Sequence, residues 1–222
     1  METYKIVLTG ESPLLMHKDN INWSELVKKW QKDPVNKELS VAGDDRSPAW
    51  TWIGSLYSDG QHLAMDSDNL MTMLREGGAK VPTGFKQETY KRHTQSGLLI
   101  RDISSTLLVN GKQIPMAPIN ELSLDLDFQH HLEVVESLGF ELLVKRAKIG
   151  QAKHVRVRPM FREWQVIAEV TVIDKSVSGI TEEILQRILD ASGAQCGLCD
   201  WRPSSRTPGQ FGRFSAVVEP IA

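Results

Sequence analysis

Cysteine is scarce in this sequence of 222 residues, and its two cysteines, Cys196 and Cys199, form one Cys-Gly-Leu-Cys motif. A redox motif of this spacing lies at a helix N-terminus, where the helix dipole lowers the thiol pKa, but this pair follows a predicted helix. A structural zinc site needs two further ligands, and the sequence has neither a second such motif nor a histidine pair at finger spacing. We therefore expect packed small side chains here, with no metal site and no cofactor.

Long apolar runs are also absent. No segment approaches the ~18 residues that span a bilayer, and the N-terminal segment METYKIVLTGESPLL lacks the basic start and long apolar core of a signal peptide. The sequence therefore predicts a cytoplasmic protein with no membrane partner.

The common signatures of enzyme active sites are missing as well. The sequence contains no phosphate-loop lysine motif, dinucleotide-binding fingerprint, nucleophile elbow or HExxH zinc motif. No catalytic residue is assigned on this basis. A binding protein is favoured over an enzyme, and the question stays open.

The charged residues are distributed unevenly, although the formal net charge is only −2. From Ile114 to Phe140 there are five acidic residues and no Lys or Arg, whereas from Lys145 to Arg162 there are seven Lys or Arg and no acidic residue. This change of sign predicts one basic face on a neutral or acidic body. The alternative is a solvated basic face that has no partner.

The first two thirds of the chain alternate strand-like and helical patterns. The predicted elements are a strand at 4–8, a helix from Asp66 or Ser67 to Gly78, a strand at 97–109 with a turn at Asn110-Gly111, and a β-type run at 132–144. Two segments between these elements are more polar and rich in turn residues. Residues 18–50 are predicted to be a polar insertion, and residues 80–96 a loop of interleaved basic and aromatic side chains.

The last third of the chain organises the fold. It reads as a basic β-ribbon at 144–160, a half-buried strand, an amphipathic helix at 181–195, a glycine-bearing loop and a final strand. This order is half of a split βαβ fold. We therefore expect one α+β domain over residues 1–222, with an antiparallel sheet, helices on one face, the two insertions and the ribbon.

The ribbon carries the first group of candidate binding residues. These basic residues are Arg146, Lys148, Lys153, His154, Arg156 and Arg158. Because side chains alternate along a strand, the intervening valines face one way and His154, Arg156 and Arg158 the other. The expected hairpin tip is Gly150-Gln151. Such a row of donors suits a polyanion, and the alternative is an exposed face whose arginines pair with acids such as Glu163.

The glycine-bearing loop carries the second group. Its candidate residues are Trp201, Arg202, Arg206, Gly209, Gly212 and Arg213. Glycines allow close backbone approach, and backbone N–H groups, guanidinium groups and ring faces are the groups that hold phosphates and unstacked bases. Lys91 and Arg92, in the 80–96 loop, are two further candidates. The alternative is a structural loop whose aromatic residues, Trp201 and Phe214, lie in the core.

The loop and the final strand resemble part of a known family. Gly197-Leu198-Cys199 and the Gly209 to Phe214 segment, followed by the strand Ser215 to Val218, are similar to the C-terminal glycine-rich loop of the RAMP superfamily of CRISPR-associated proteins, chiefly the Cas7-like backbone subunits. The segment YSDGQHLAMDSDNLMTMLREGG resembles the turn and helix that open such domains. The layout also resembles that of phage-encoded proteins.

The resemblance implies a fold and a function. The implied fold is a ferredoxin-like, RRM-like antiparallel core with insertions. The implied function is sequence-independent binding of single-stranded RNA, or of DNA, by subunits that form homo-oligomers along the strand or join other subunits of an effector complex. Backbone contacts would supply the affinity, which should fall steeply with salt.

Two alternatives stay open. One is a metal-independent endoribonuclease resembling the Cas6 branch of the same superfamily, for which His17, His93 and His154 are candidates because histidine moves protons near neutral pH. The other is a phage structural or interaction protein, suggested by the acidic stretch and by six tryptophans, a residue type that often anchors interfaces.

Overall fold

A computed structural model describes residues 1–149 and 152–221, with the backbone alone at 148, 149 and 152. The chain divides into two units, which are described separately. The first unit consists of Met1–Leu15, Ala64–Gln113 and Arg162–Ala222, and the second of Met16–Leu63 and Ile114–Phe161. The single domain with two insertions stays a prediction. Within the described ranges, no helix is long and apolar enough to cross a membrane.

Strands and helices are both numerous. The strands are β1 (Glu2–Gly10), β2 (Leu14–Leu15), β3 (Ala64–Asp66), β4 (Leu98–Ile100), β5 (Ser104–Val109), β6 (Glu141–Ile149), β7 (Ala152–Phe161), β8 (Trp164–Val172) and β9 (Phe214–Pro220). The α-helices are α1 (Ile21–Lys32), α2 (Ser67–Gly78), α3 (Lys91–Gly97), α4 (Ala117–Glu121), α5 (Phe128–Ser137), α6 (Lys175–Ser178) and α7 (Glu182–Ala191). Shorter helical turns cover Pro34–Asn36, Ala49–Ser55, Leu122–Leu124 and Ser192–Cys196.

One antiparallel sheet forms the framework of the first unit. Its strands lie in the order β3-β5-β8-β1-β9, and β4 also pairs with β8. Tyr4, Ile6 and Leu8 alternate along β1 with more exposed residues, so they share the buried face of the sheet. Val166 and Val170 bury the same face of the neighbouring β8. The chain is therefore α+β with antiparallel sheets, as the sequence predicts.

Helices α2 and α7 pack against each other within the first unit. The sequence predicts α2 within one residue of its observed bounds, because the apolar stripe is followed by two glycines. Gly77 is needed for the packing, since a Cβ at this position would lie 2.6 Å from the carbonyl oxygen of Ile188. Thr181 caps α7 as predicted and accepts a hydrogen bond from the Ile184 N–H. The predicted end of this helix, up to Gln195, is instead a π-helical turn at Ser192–Cys196.

Three further sequence predictions of local structure are wrong. The strand predicted at 97–109 is divided into β4 and β5. Residues 132–137 of the predicted β-type run belong to α5, and only residues from Glu141 onward form a strand. Asp127 caps this helix, and His131 and Val135 are buried four residues apart, so the helical period prevails over the β-branched composition. The predicted loop at 80–96 ends in α3.

The second unit is built on the antiparallel pair β6 and β7, the predicted basic ribbon. The predicted tip at Gly150-Gln151 lies outside the described residues. The aromatic core contains Trp52, Phe140 and Phe161, whose ring centroids are 5.0 to 6.1 Å apart in successive pairs. None of the 12 residues of α1 is fully buried. This helix is anchored through Trp23, which packs on Gly54 and meets the ring of Trp50 edge-on at 5.5 Å.

A buried histidine makes the stability of the second unit depend on pH. Trp52 Nε1 donates to His131 Nδ1 at 3.0 Å, and His131 Nε2 lies 3.1 Å from the carbonyl oxygen of Asp125, so the imidazole is held neutral. Burial lowers the pKa of His131 below its ordinary value of 6.5. The contribution of His131 to the free energy of unfolding is therefore present above pH 6.5. It is lost as the pH falls below this value, because the unfolded chain takes up the proton first.

We expect His131→Gln to flatten this acid-side loss while lowering the free energy of unfolding near neutral pH by about 1–3 kcal/mol, since the Trp52 hydrogen bond is disturbed. Urea unfolding at several pH values measures both effects. His130→Gln is the control, because the Asp125 carboxylate raises the pKa of His130, so the contribution of His130 to stability is present at low pH and lost as the pH rises. Equal pH profiles for the two variants would contradict this assignment.

Candidate functional site

The register of the ribbon sorts its basic residues onto two faces. Residues directly opposite in an antiparallel pair share a face, and Lys145 lies opposite Arg156, whereas Arg146 lies opposite Val155. One face therefore carries Lys145, His154, Arg156 and Arg158, and the other carries Arg146 and Lys153, both exposed. The side chain of Lys148 lies outside the described part of the chain. The predicted row of His154, Arg156 and Arg158 thus does share one face.

Asp45 binds both arginines of this row. Residues 43–45 run beside β7, where the Val155 N–H donates to the Gly43 carbonyl and the Asp45 N–H donates to the Val155 carbonyl. This pairing brings the Asp45 carboxylate to Arg156 Nη1 at 2.7 Å and to Arg158 Nη1 at 3.2 Å. The buried N–H of Val157 also donates to it, at 3.1 Å. The alternative in which ribbon arginines pair with a carboxylate therefore occurs, although the acid is not one that the sequence suggested.

The same face of β7 lines a cleft of about 430 Å³ within the second unit. α1, the segment 43–45 and the helical turn Ala49–Ser55 form its other walls. The charged lining residues are Lys18, Lys28, Arg156, Arg158, Asp19, Asp44 and Asp45. With four cations and three carboxylates, the lining has a small positive excess when its histidines are neutral. It can therefore hold an anionic ligand by directed hydrogen bonds more than by net charge.

Two of the three candidate histidines lie on this cleft. Arg158 Nη2 is 3.2 Å from His17 Nε2, and His154 projects from β7. His154 Nδ1 and Trp23 Nε1 are buried without a hydrogen-bond partner among the described residues. Unpaired buried polar groups are rare in folded proteins, and here both belong to residues of one cleft. His93 lies elsewhere, in the first unit, 3.5 Å from Glu88.

The glycine-bearing loop belongs to the first unit, and its backbone is bonded within that unit. Its N–H groups donate from Leu198 to Gly212, from Asp200 to Leu15, from Gly209 to Arg202, from Phe211 to Trp201 and from Gly212 to Pro13. A Cβ at Gly209 would fall on the carbonyl oxygen of Trp201, and one at Gly212 on that of Leu198. The close backbone approach that the sequence predicts at these glycines is therefore made to the protein's own chain.

Trp201 is the bulkier of two non-glycine residues in the loop whose backbone is left-handed: its φ is 51°, and that of Cys199 is 63°. Left-handed backbone is unfavourable for a bulky side chain, so the surrounding contacts must hold it. The indole stacks on Phe211 with ring centroids 5.7 Å apart and planes inclined by 27°. Both rings are half-buried, whereas Phe214 is in the core.

The three loop arginines have different surroundings. Arg202 Nη2 donates to Glu76 Oε1 at 3.0 Å and Nη1 donates to the Cys199 carbonyl, so this side chain ties the loop to α2. The Arg213 guanidinium donates to the Ala194 carbonyl. Arg206 is exposed. Among the loop arginines, Arg206 is thus the one presented to solvent, as are Lys91 and Arg92 on α3.

The two cysteines are buried and reduced. Burial raises the pKa of both thiols, and Cys199 Sγ lies 3.6 Å from Met65 Sδ. Thiols with raised pKa values are poor nucleophiles at neutral pH. Across residues 1–149 and 152–221, no cluster of three His, Cys, Asp or Glu side chains could hold a metal ion.

Sequence reasoning missed most of the cleft. Asp45, Trp23, Lys18 and Lys28 fall in the segment that the sequence predicts to be a polar insertion, and Asp45 is 111 positions from Arg156. Lys145, which lies opposite Arg156 on the ribbon and is not part of the cleft lining, is in the charge run but is not among the predicted binding residues. The available signal was the Asp44-Asp45 pair after Gly43, an acidic counterpart for a basic ribbon.

No model of a known protein family matches this chain, and a search of curated proteins returned no match. The case for a function therefore stands on the geometry of the two units.

Proposed function

We propose that this protein binds single-stranded nucleic acid, RNA in preference to DNA, without reading its base sequence, and that the cleft of the second unit holds the strand. The observation that carries the proposal is the pair Arg156 and Arg158, set side by side on one strand at the wall of a cleft. Guanidinium groups match phosphate oxygens, and Lys18 and Lys28 add point charges on the same lining. The indole of Trp23 offers a surface against which a base can pack.

We also propose that the first unit has a fold of the ferredoxin-like, RRM-like class. Two features support this assignment. Within the sheet the strands lie in the order β5-β8-β1-β9, and along the chain α2 lies between β1 and β5 and α7 lies between β8 and β9. RRM sheets stack bases on aromatic residues of their central strands. The more exposed faces of β1 and β8 carry Lys5, Val7, Thr9, Gln165, Ile167 and Glu169. Because none of these is aromatic, we place the single-stranded nucleic acid on the cleft of the second unit and not on this sheet.

Partners follow from the resemblance to Cas7-like subunits. We propose that the protein forms homo-oligomers along the bound nucleic acid, or assembles with other subunits of an effector complex. The exposed acidic residues of the second unit, which include Glu121 and Glu136, are available to a basic neighbour. Assembly that appears only when nucleic acid is added is the expected behaviour in light scattering.

Fluorescence anisotropy with a labelled single-stranded RNA tests the proposal. The logarithm of the binding constant should fall linearly with the logarithm of salt concentration, and Arg156→Gln should weaken binding and reduce the slope by about 0.7, the value for one phosphate contact with a single strand. Arg101→Gln removes the same charge from an exposed site of the first unit and is the control. Absence of binding at low salt, or equal effects of the two variants, would contradict the proposal.

A second candidate function is metal-independent RNA cleavage, and the observation that favours it is the presence of His17 and His154 on the same cleft as two guanidinium groups. One histidine would take the proton of a 2′-hydroxyl as it attacks phosphorus, and the other would protonate the departing 5′-oxygen. Incubation with RNA in excess chelator separates the candidates. Cleavage that His17→Gln or His154→Gln abolishes supports the enzyme, and intact RNA removes it.

A further inference from the structure

The carboxylate of Asp45 is less exposed than the arginines it binds. The side chain of Asp45 is 11% exposed, against 34% for Arg156 and 16% for Arg158. Its oxygens accept from both arginines and from the N–H of Val157, which is fully buried in β7. The carboxylate is therefore fixed to the strand, and it lies on the protein side of the more exposed Arg156.

Two guanidinium groups on the same face of one strand repel each other. A carboxylate that accepts one hydrogen bond from each allows both to stay adjacent and limits their rotation. A guanidinium has five N–H donors, and the Nη1 of Arg156 is the donor that Asp45 uses. Donors on the exposed side of Arg156 therefore remain for a ligand on the cleft.

We propose that Asp45 is a positioning residue that holds Arg156, beside Arg158, as a seat for one phosphodiester group. This inference rests on the proposed function and specifies the chemistry of its site. A phosphodiester is a monoanion with two unesterified oxygens, which match the fork of N–H donors on one guanidinium better than a diffuse basic surface. Asp45 then strengthens the binding of an anion although it is itself negatively charged.

Coulombic attraction and positioning predict opposite effects of Asp45→Asn on the affinity for RNA. The substitution adds one positive charge to the cleft, so attraction alone would tighten the binding of RNA. If Asp45 positions Arg156, binding weakens by roughly tenfold, because this side chain must be ordered by the ligand instead. The salt slope should also fall in magnitude, since fewer phosphate contacts are made.

Asp44→Asn is the matched control. Asp44 is the neighbouring carboxylate on the same cleft, and the Arg46 guanidinium keeps its pKa below the usual range, so the substitution also removes one negative charge. Arg46 is not part of the cleft lining. Asp44→Asn should therefore bind labelled single-stranded RNA more tightly than the unmodified protein, by up to about twofold, which is the charge effect without a change at Arg156.

Anisotropy titrations of the unmodified protein, Asp45→Asn and Asp44→Asn decide the matter, with urea unfolding to show that each is folded. Wild-type or tighter binding by Asp45→Asn overturns the inference, as does equal weakening by both variants. If Asp45→Asn does not fold, Arg156→Lys keeps the test decisive. This variant retains the charge of Arg156 and removes its planar donors, so it should bind RNA several-fold more weakly than the unmodified protein. Failure of the unmodified protein to bind RNA would refute the proposed function itself.

Discussion

Gly212→Ala is expected to lower the free energy of unfolding of the first unit by about 3 kcal/mol. The added Cβ would fall on the carbonyl oxygen of Leu198 and lie 2.8 Å from its nitrogen. Neither chain can yield easily, because the Leu198 N–H donates to the Gly212 carbonyl and the Gly212 N–H donates to that of Pro13. The φ of Gly212, +72°, adds the cost of left-handed backbone for alanine.

Gly111→Ala separates the two costs. Gly111 has nearly the same φ, +75°, but no atom lies within 4 Å of the position that its Cβ would take. This variant should therefore lose only about 1 kcal/mol. Urea unfolding, monitored by a signal from the first unit, measures both. Similar losses at Gly111 and Gly212 would mean that backbone conformation alone, and not the contact with Leu198, constrains the loop.

Gly54→Ala is expected to destabilise the second unit by about 2–3 kcal/mol and to disrupt its cleft. The new methyl group would overlap the ring of Trp23, which anchors a helix that has no fully buried residue. Besides this ring, α1 is held by the edge contact of Trp30 with Trp50 and by the hydrogen bond from Gln31 to the Ser47 carbonyl. Displacement of Trp23 should therefore move α1, and with it Lys28, away from β7.

A double-mutant cycle isolates this effect. Trp23→Ala removes the ring, so adding Gly54→Ala to it should cost almost nothing further, whereas independent sites would give additive losses. Binding of single-stranded RNA should weaken in each variant to a similar extent, because all lose the same wall of the cleft. Additive destabilisation would show that Gly54 is required for a reason other than the contact with Trp23.

Local patterns predicted the elements that are determined by near neighbours. The apolar stripe and the glycine pair predicted α2, Thr181 was identified as a cap, and both residues of the Asn110-Gly111 turn do have positive φ. The β-type prediction failed at residues 132–137 because the valines and leucines of 132–144 suit a strand as well as a helix. The local helical signals, the Asp127 cap and the four-residue spacing of His131 and Val135, are reinforced by a contact that no local pattern contains, the hydrogen bond from Trp52 to His131.

The candidate site was predictable only in part for the same reason. The period of two correctly placed His154, Arg156 and Arg158 on one face of β7, since alternation is a local property. The carboxylate between two of them comes from Asp45, in a different segment. The glycines of the loop show a related limit: their presence indicates close backbone approach, but it does not reveal whether a ligand or the chain itself makes the contact.

Photocross-linking most directly tests whether the cleft holds the strand. A single-stranded RNA that carries 4-thiouridine would be irradiated with the unmodified protein, and the linked peptides identified by mass spectrometry. The expected result is cross-links in residues 17–31 and 154–158, the segments that line the cleft on either side, and their loss in Arg156→Gln. Cross-links confined to the first unit, or unchanged by Arg156→Gln, would contradict the assignment of the strand to this cleft.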